Sequence, residues 1–349
     1  MNHFKTLILV FLISLSFTGC KEDYTILPSE DPILLSTNNV SSLIDNSIVF
    51  TATKGGEEIT ALTTIYVNGE AIQGDTFTSN ETGEYRAYAT YDNLKSNEVV
   101  FNYHDGSEIN FKKRVLIEDY TGTWCGYCTR VAKAIEQVFT STDNAVAVAI
   151  HRDSSNPNSA TYDPFNYDAS VLENLLNTPG YPKGFLNRTI LWKNPETEYV
   201  NQVLDLTQGE NPKLGLAITN SLANNQLNIA VNVKKAKNFG DLKLVVYVLE
   251  NGLIYEQKNY TTYYNSVNPV PDFEHNHVLR SSLTDLLGDN IPKEEFINDV
   301  YSVNYEIAVP SNVDNSQNIE VVAFVIDEDG KAINVRKANL GEDQDFEQI

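Results

Sequence analysis

The stretch 114–130, RVLIEDYTGTWCGYCTR, constrains this chain more than any other. Val115, Leu116 and Ile117 form a compact apolar run with β-branched ends, the pattern of a strand covered on both faces. Tyr120, Thr121, Gly122 and Thr123 break the run. Trp124-Cys125-Gly126-Tyr127-Cys128 then opens a helical pattern in which Val131, Ala134, Ile135 and Val138 recur at one-turn spacing. A thiol at a helix start faces unpaired backbone N–H groups and the positive end of the dipole. Both favour thiolate, so Cys125 is expected to be the more acidic sulfur. Cys128 lies one turn on, close enough to close a disulfide, and thiol–disulfide exchange needs such an attacking and resolving pair. The same two residues also suit an inert structural disulfide. Half a zinc site is the weakest reading, because a closed site needs four ligands and no second CxxC exists.

The surroundings of the pair carry a resemblance. Asp119 lies six residues before Cys125, Trp124 precedes that cysteine, and Gly180-Tyr181-Pro182 follows downstream. Together these resemble a thioredoxin-fold active site, and the CGYC tetrapeptide is similar to that of periplasmic disulfide isomerases. The resemblance implies that Cys125 attacks, Cys128 resolves and a buried Asp119 with a raised pKa takes the proton from Cys128. It also implies a cis Pro182 set against Cys125, which the sequence alone does not suggest, since only about 5–6% of X–Pro bonds are cis. Trp124, Tyr127 and Tyr181 would border the substrate groove. The plainer reading of Asp119 is a satisfied structural acid near a strand end. His151, at the end of the next apolar run, is either a second group favouring the Cys125 thiolate or an ordinary surface histidine.

Compartment follows from the N-terminus. A short apolar run from Leu7 to Phe17, preceded by His3 and Lys5, ends in Ser16-Phe17-Thr18-Gly19-Cys20. The run is too short for a spanning helix, and its end resembles a bacterial lipoprotein cleavage box. Residues 1–19 are thus expected to be a signal peptide and Cys20 the lipidated first residue, with residues 20–31 as tether. Lys21-Glu22-Asp23 resembles the signal that sends Bacteroidota-type lipoproteins to the cell surface; the alternative is a charged linker start. With Cys20 taken by lipid, Cys125 and Cys128 are the only thiols left, and outside the cytoplasm they tend to be oxidised. The formal net charge of −22 argues against nucleic-acid partners and suits a solvated envelope protein.

The rest of the chain reads as further domains. Residues 32–104 carry short strands, among them Gly83 to Tyr91 with period two, and Asn68-Gly69 is a hairpin signal. They resemble an Ig-like β-sandwich, in its plainest role a spacer. Residues 111–210 are assigned to the thioredoxin-like domain. It includes the buried strand Ala145 to Ile150, a long loop from Ser154 to Tyr167 exposing Tyr162 and Phe165, a short helix over 171–176 and a last helix over 196–206. Residues 212–345 read as a C-terminal β-sandwich with an irregular middle from Gly252 to Asn298. The expected fold class is therefore an α/β thioredoxin-like domain flanked by an N-terminal Ig-like β-sandwich and a C-terminal β-sandwich.

Within the last segment, Glu250-Asn251-Gly252-Leu253, His275-Asn276-His277-Val278-Leu279-Arg280 and Val322-Ala323-Phe324-Val325 resemble the thioredoxin-like outer-membrane lipoproteins of Bacteroidota related to outer membrane protein 28. The resemblance spans roughly residues 114–340 and implies an outer-membrane location, but no established reaction. Two functions remain open at this point. One is thiol–disulfide exchange on protein clients, with oxidase, reductase and isomerase sharing the same residues and differing in potential. The other is a surface binding or adhesion lipoprotein with the pair locked as a structural disulfide. No cofactor signature is present. His275 and His277, two apart, would share a face on a strand and with Glu274 or Asp272 could bind a metal; as hydrogen-bonding residues of the sandwich they need none, and no metal is assigned.

Overall fold

The computed structural model describes residues 31–152, 154–177 and 180–349. The signal peptide, Cys20 and nearly all of the tether lie outside the described residues.

The first strands form two facing sheets. One contains Ile33–Thr37 and Ser47–Lys54; the other contains Ser41–Leu43, Val99–His104, Gly83–Tyr91 and Thr64–Val67. Their alternation places Ile48, Phe50, Ala87, Ala89, Phe101 and Tyr103 in a common core. Asn68 and Gly69 both adopt positive φ, 49° and 87°, as the two-residue turn between Thr64–Val67 and Glu70–Ala71 requires. This part is fastened to the rest through buried Asp299. Asp299 Oδ2 lies 2.8 Å from His104 Nε2, and its Oδ1 accepts the Leu43 N–H.

Beyond residue 111 the organising element is one nine-stranded sheet. Its order is Ile190–Leu191, Lys183–Leu186, Val115–Thr121, Ala145–His151, Val278–Ser282, Leu242–Glu250, Ile319–Ile326 and Ala332–Asn339, with Asp289–Ile291 pairing beside Leu242–Glu250. Three α-helices accompany it among the described residues: α1 (Thr129–Ser141), α2 (Ser170–Leu176) and α3 (Val200–Leu206). The strands at its far end face a second sheet of Leu214–Ala223, Gln226–Lys235 and Val300–Ala308. The largest core lies between these two sheets, with Leu216, Val231, Val246 and Val321 at its centre.

This architecture overturns the expected fold class. The chain is dominated by strands packed as sheets on sheets, not by an α/β thioredoxin-like domain with separate sandwiches on either side. The parallel pair Val115–Thr121 and Ala145–His151, bridged by α1, is present with a seven-residue register. It is a local feature of a larger sheet. The free edge of Ala145–His151 is taken by Val278–Ser282, through the Ala149↔Val278 pair and the Ala149 N–H to His277 carbonyl bond. The physical reason is that an apolar run buried on both faces fixes only that both faces are covered. It does not say which strand completes the edge, and here that strand comes from more than a hundred residues away.

Three further expectations change. The helix begins at Thr129, so Cys125 sits in a turn and Cys128 at the N-cap. The segment read as irregular between 252 and 298 holds the Val278–Ser282 strand and a hairpin of Leu253–Gln257 with Val270–His275. Phe165, expected to be exposed, is buried against His151 and His275.

Candidate functional site

Alternation along Val115–Thr121 divides its side chains. Val115 and Ile117 pack under α1 with Val131, Ala134 and Val138, while Leu116 and Tyr120 join the core on the opposite face. Glu118 falls on that opposite face. There it meets Arg188, whose Nη2 is 3.0 Å from Glu118 Oε1 and also donates to Tyr247 Oη at 2.8 Å. Asp119 falls on the α1 face, next to the cysteine turn.

Cys125 and Cys128 are joined as a disulfide with an S–S distance of 2.06 Å. They are 5% and 2% exposed, so the disulfide is almost wholly withdrawn from solvent. The cover comes from the segment after Gln257. Lys258 N–H donates to the Thr123 carbonyl at 2.9 Å, and Tyr260 N–H to the Gly126 carbonyl at 2.7 Å. Gln257 Nε2 lies within hydrogen-bond distance of the carbonyls of Gly122 and Cys125. Thr129 Oγ1 donates to Asn259 Oδ1, which fixes the same segment to the first turn of α1. The Tyr260 ring lies over Gly126 and packs edge-on against Tyr127, with ring centres 5.6 Å apart. Residues 257–261 thus form a strap across the CGYC turn.

Asp119 is buried, and its Oδ1 has no hydrogen-bond partner among the described residues. Burial, with the charge of Glu196 added, pushes its carboxyl well above the ordinary range; Arg130 opposes this in part. Arg130 is itself held by Glu196, Nε to Oε2 at 2.5 Å. Asp119 and Cys128 line one cavity together with His275 and His277. The two histidines do not share a strand face, because His277 lies beyond the strand end with φ 58°. His277 Nδ1 meets Glu320 Oε1 at 3.1 Å, whereas His275 turns inward to within 5.1 Å of the His151 ring. Among the described residues no group of three or more His, Cys, Asp and Glu side chains is placed to hold a metal ion.

The remaining expected groove residues lie around the same turn. Trp124 donates from Nε1 to the Arg152 carbonyl and packs edge-on against Tyr181, with ring centres 5.5 Å apart. The Tyr181–Pro182 bond is cis, and Tyr181 Oη donates to Glu173. Tyr127 is 55% exposed. His151, one of the two histidine alternatives, is a buried residue bonded to buried Asp163 at 2.9 Å. Asp163 also accepts the N–H groups of Thr123 and Phe165. Burial pushes the Asp163 carboxyl up, but the His151 charge and these bonds outweigh it and leave the carboxyl below its ordinary value.

Sequence reasoning missed the strap, the Asp163–His151 pair and the inward His275. The β-branched and aromatic residues of Leu253-Ile254-Tyr255 and of Val270 and Phe273 were the available, weak signal for the hairpin. Nothing in those residues says what the hairpin covers.

The strand-rich sheets and the closed, buried cysteine pair define a class of β-sheet protein with a covered disulfide. The family described as Outer membrane protein Omp28 matches residues 169–344, about half of the chain, and the chain belongs to that family. It is accordingly an outer-membrane protein. The match begins after the cysteine turn and takes in the strap. HBP35 of Porphyromonas gingivalis superposes with a TM-score of 0.51 at 20% identity, over 67% of this chain and 77% of that one; at that identity the likeness is one of fold. A protein of Agrobacterium tumefaciens aligns over 66% of this chain and 96% of that one, at 13% identity and a TM-score of 0.40. No curated protein matches. Among the described residues no helix is long and apolar enough to cross a membrane.

Proposed function

We propose that this chain is a binding protein of the outer membrane, displayed on a lipid anchor, whose Cys125–Cys128 pair is kept as a structural disulfide. The observation that carries this reading is the strap. A client sulfur attacking Cys125 needs a clear approach, yet Cys125 is 5% exposed and the Tyr260 ring lies over the adjoining Gly126. The carbonyl of Cys125 is tied to Gln257, so the strap and the turn must part before the sulfur is reached. The disulfide then joins the two ends of a turn that the strap depends on. Partners are surface ligands, with the aromatic pair Tyr127 and Tyr260 as the exposed feature nearest the turn.

Equilibration in glutathione buffers tests the reading. A structural disulfide has a potential below about −300 mV, while working oxidoreductases lie at about −120 to −270 mV. A value in the second range overturns the proposal.

One observation favours exchange as a second reading: the unpartnered carboxyl of Asp119 lines the same cavity as Cys128. In that chemistry the reduced Cys125 thiolate attacks a client disulfide and expels one client thiolate. Cys128 then gives its proton to Asp119, which must first be ionised, and attacks Cys125. The second client thiolate leaves and the pair is again a disulfide. The client has been reduced by two electrons. Pro182 and Tyr181 would border the client. Under this reading a Cys128→Ser, Tyr260→Ala variant with Cys125 reduced traps mixed disulfides on disulfide-bearing clients. Absence of any such adduct removes the reading.

A further inference from the structure

Ala145, Ala147 and Ala149 alternate with Val146, Val148 and Ile150 along one strand. The larger residues fill the core away from α1. The alanines lie on the α1 side and leave it shallow, and a cavity of about 140 Å³ remains there. Its apolar walls are Ala132, Ile135 and Phe139 of α1, Ala147 and Ala149 of the strand, and Phe273 of the hairpin.

Two side chains more than nine-tenths buried line this cavity with a polar atom that has no hydrogen-bond partner among the described residues: Asp119 Oδ1 and His275 Nε2. Each unmet group is costly when kept from water. The two are complementary. Burial favours the protonated, donating form of Asp119. Burial and the nearby His151 hold the His275 imidazole neutral, its pKa lowered to about 3. A neutral imidazole has one donating and one accepting nitrogen, and a hydroxyl can meet Nε2 in either role.

We propose that this cavity binds a small uncharged molecule made of one compact apolar ring and a hydroxyl, of about the size of phenol, with the hydroxyl meeting Asp119 and His275. The size follows from volume, since an apolar protein cavity of about 150 Å³ accommodates benzene. The hydroxyl follows from chemistry, since it supplies both a donor and lone pairs. Anions are disfavoured by Glu136 and Glu274 in the cavity lining. Cations would shed water against a neutral imidazole and a protonated carboxyl. The inference holds whether or not the cysteine pair exchanges.

Saturation-transfer NMR of the full chain in lipid nanodiscs, with empty nanodiscs subtracted, tests this using phenol, benzene and benzoate. Phenol is expected to bind saturably and benzoate not at all. Ala132→Phe, which adds bulk at the cavity wall, abolishes the phenol signal. Asp119→Leu and His275→Phe each weaken phenol about tenfold, the effect of one lost buried hydrogen bond, and leave benzene within about twofold. Thermal melts verify that each variant folds. The proposal is overturned by no saturable phenol signal, by benzoate binding as well as phenol, by phenol binding unchanged in Ala132→Phe, or by equal loss of phenol and benzene in both polar-site variants.

Discussion

Gly126 lacks a side chain where the ring of Tyr260 needs the space. A Cβ at Gly126 would stand 2.3 Å from Tyr260 Cδ2 and 2.5 Å from its Cγ. The contact sits near the base of the ring, so a swing of the ring tip does not relieve it. Sequence-distant backbone and a CxxC turn are therefore matched at van der Waals distance, and the Tyr260 N–H to Gly126 carbonyl bond closes the match.

Gly126→Ala is expected to lift the strap, since overpacking a filled site costs about 1–3 kcal/mol. Denaturant unfolding should show a loss of that order. Thiol labelling after mild reduction should show the Cys125–Cys128 pair opening faster than in the parent chain. Unchanged labelling would mean that the strap does not guard the disulfide.

Asp163 should be a determinant of acid stability. Its folded carboxyl lies below the ordinary value of about 3.9. The folded form therefore binds its proton more weakly than the unfolded form. The resulting stability is present above the unfolded value and is lost as pH falls through the folded one. Asp163→Ala leaves the N–H groups of Thr123 and Phe165 and the His151 ring without their acceptor, at a cost of about 1–3 kcal/mol for an unmet buried group. Melting curves from pH 7 to pH 2 should show the variant less stable at neutral pH and less steeply destabilised by acid.

Asp119 has the opposite sign. Its folded pKa is raised above the unfolded value of about 3.9. The favourable contribution of the protonated carboxyl is complete below the unfolded value and is lost as pH rises through the folded one. Asp119→Asn removes that loss. The variant should match the parent chain near pH 4 and exceed it in stability at pH 8. Parallel stability curves for the two proteins across that range would disprove the assignment.

Arg188 and Glu118 form an ion pair buried at 1% and 0% of side-chain exposure. Arg188→Ala leaves Glu118 as an uncompensated buried charge, and breaking such a pair costs about 3–5 kcal/mol. The double variant Glu118→Leu, Arg188→Met should recover most of the loss, because an apolar pair of similar volume is often no less stable. Equal instability of the single and double variants would show that the bond to Tyr247, not the charge pair, matters at this position.

The local grammar of the chain is readable from residues alone. The run from Val115 into α1, the Asn68-Gly69 turn and the period-two strands all follow from side-chain periodicity and backbone conformational preference. The alanine alternation at 145–149 already marks one face of a strand as shallow. What misleads is the step from local pattern to architecture. Val115–Ile117 and Ala145–Ile150 read as the centre of a small α/β unit because both faces are apolar, and that pattern is the same in a strand of any sheet covered on both sides.

The sequence by itself determined the extended runs Val115–Ile117 and Ala145–Ile150, the Asn68-Gly69 turn, the apolar face of α1 and that the two cysteines are close enough to bond. These depend on neighbours a few positions apart. Only the tertiary structure decided that Val278–Ser282 completes the sheet edge, that Tyr260 covers Gly126, and that Asp119 Oδ1 and His275 Nε2, both without a hydrogen-bond partner among the described residues, belong to residues lining one cavity. Each of these joins residues from about 130 to more than 150 positions apart. They meet because an exposed strand edge and a shallow apolar face must be covered by some part of the chain, and local periodicity carries no information about which part that is.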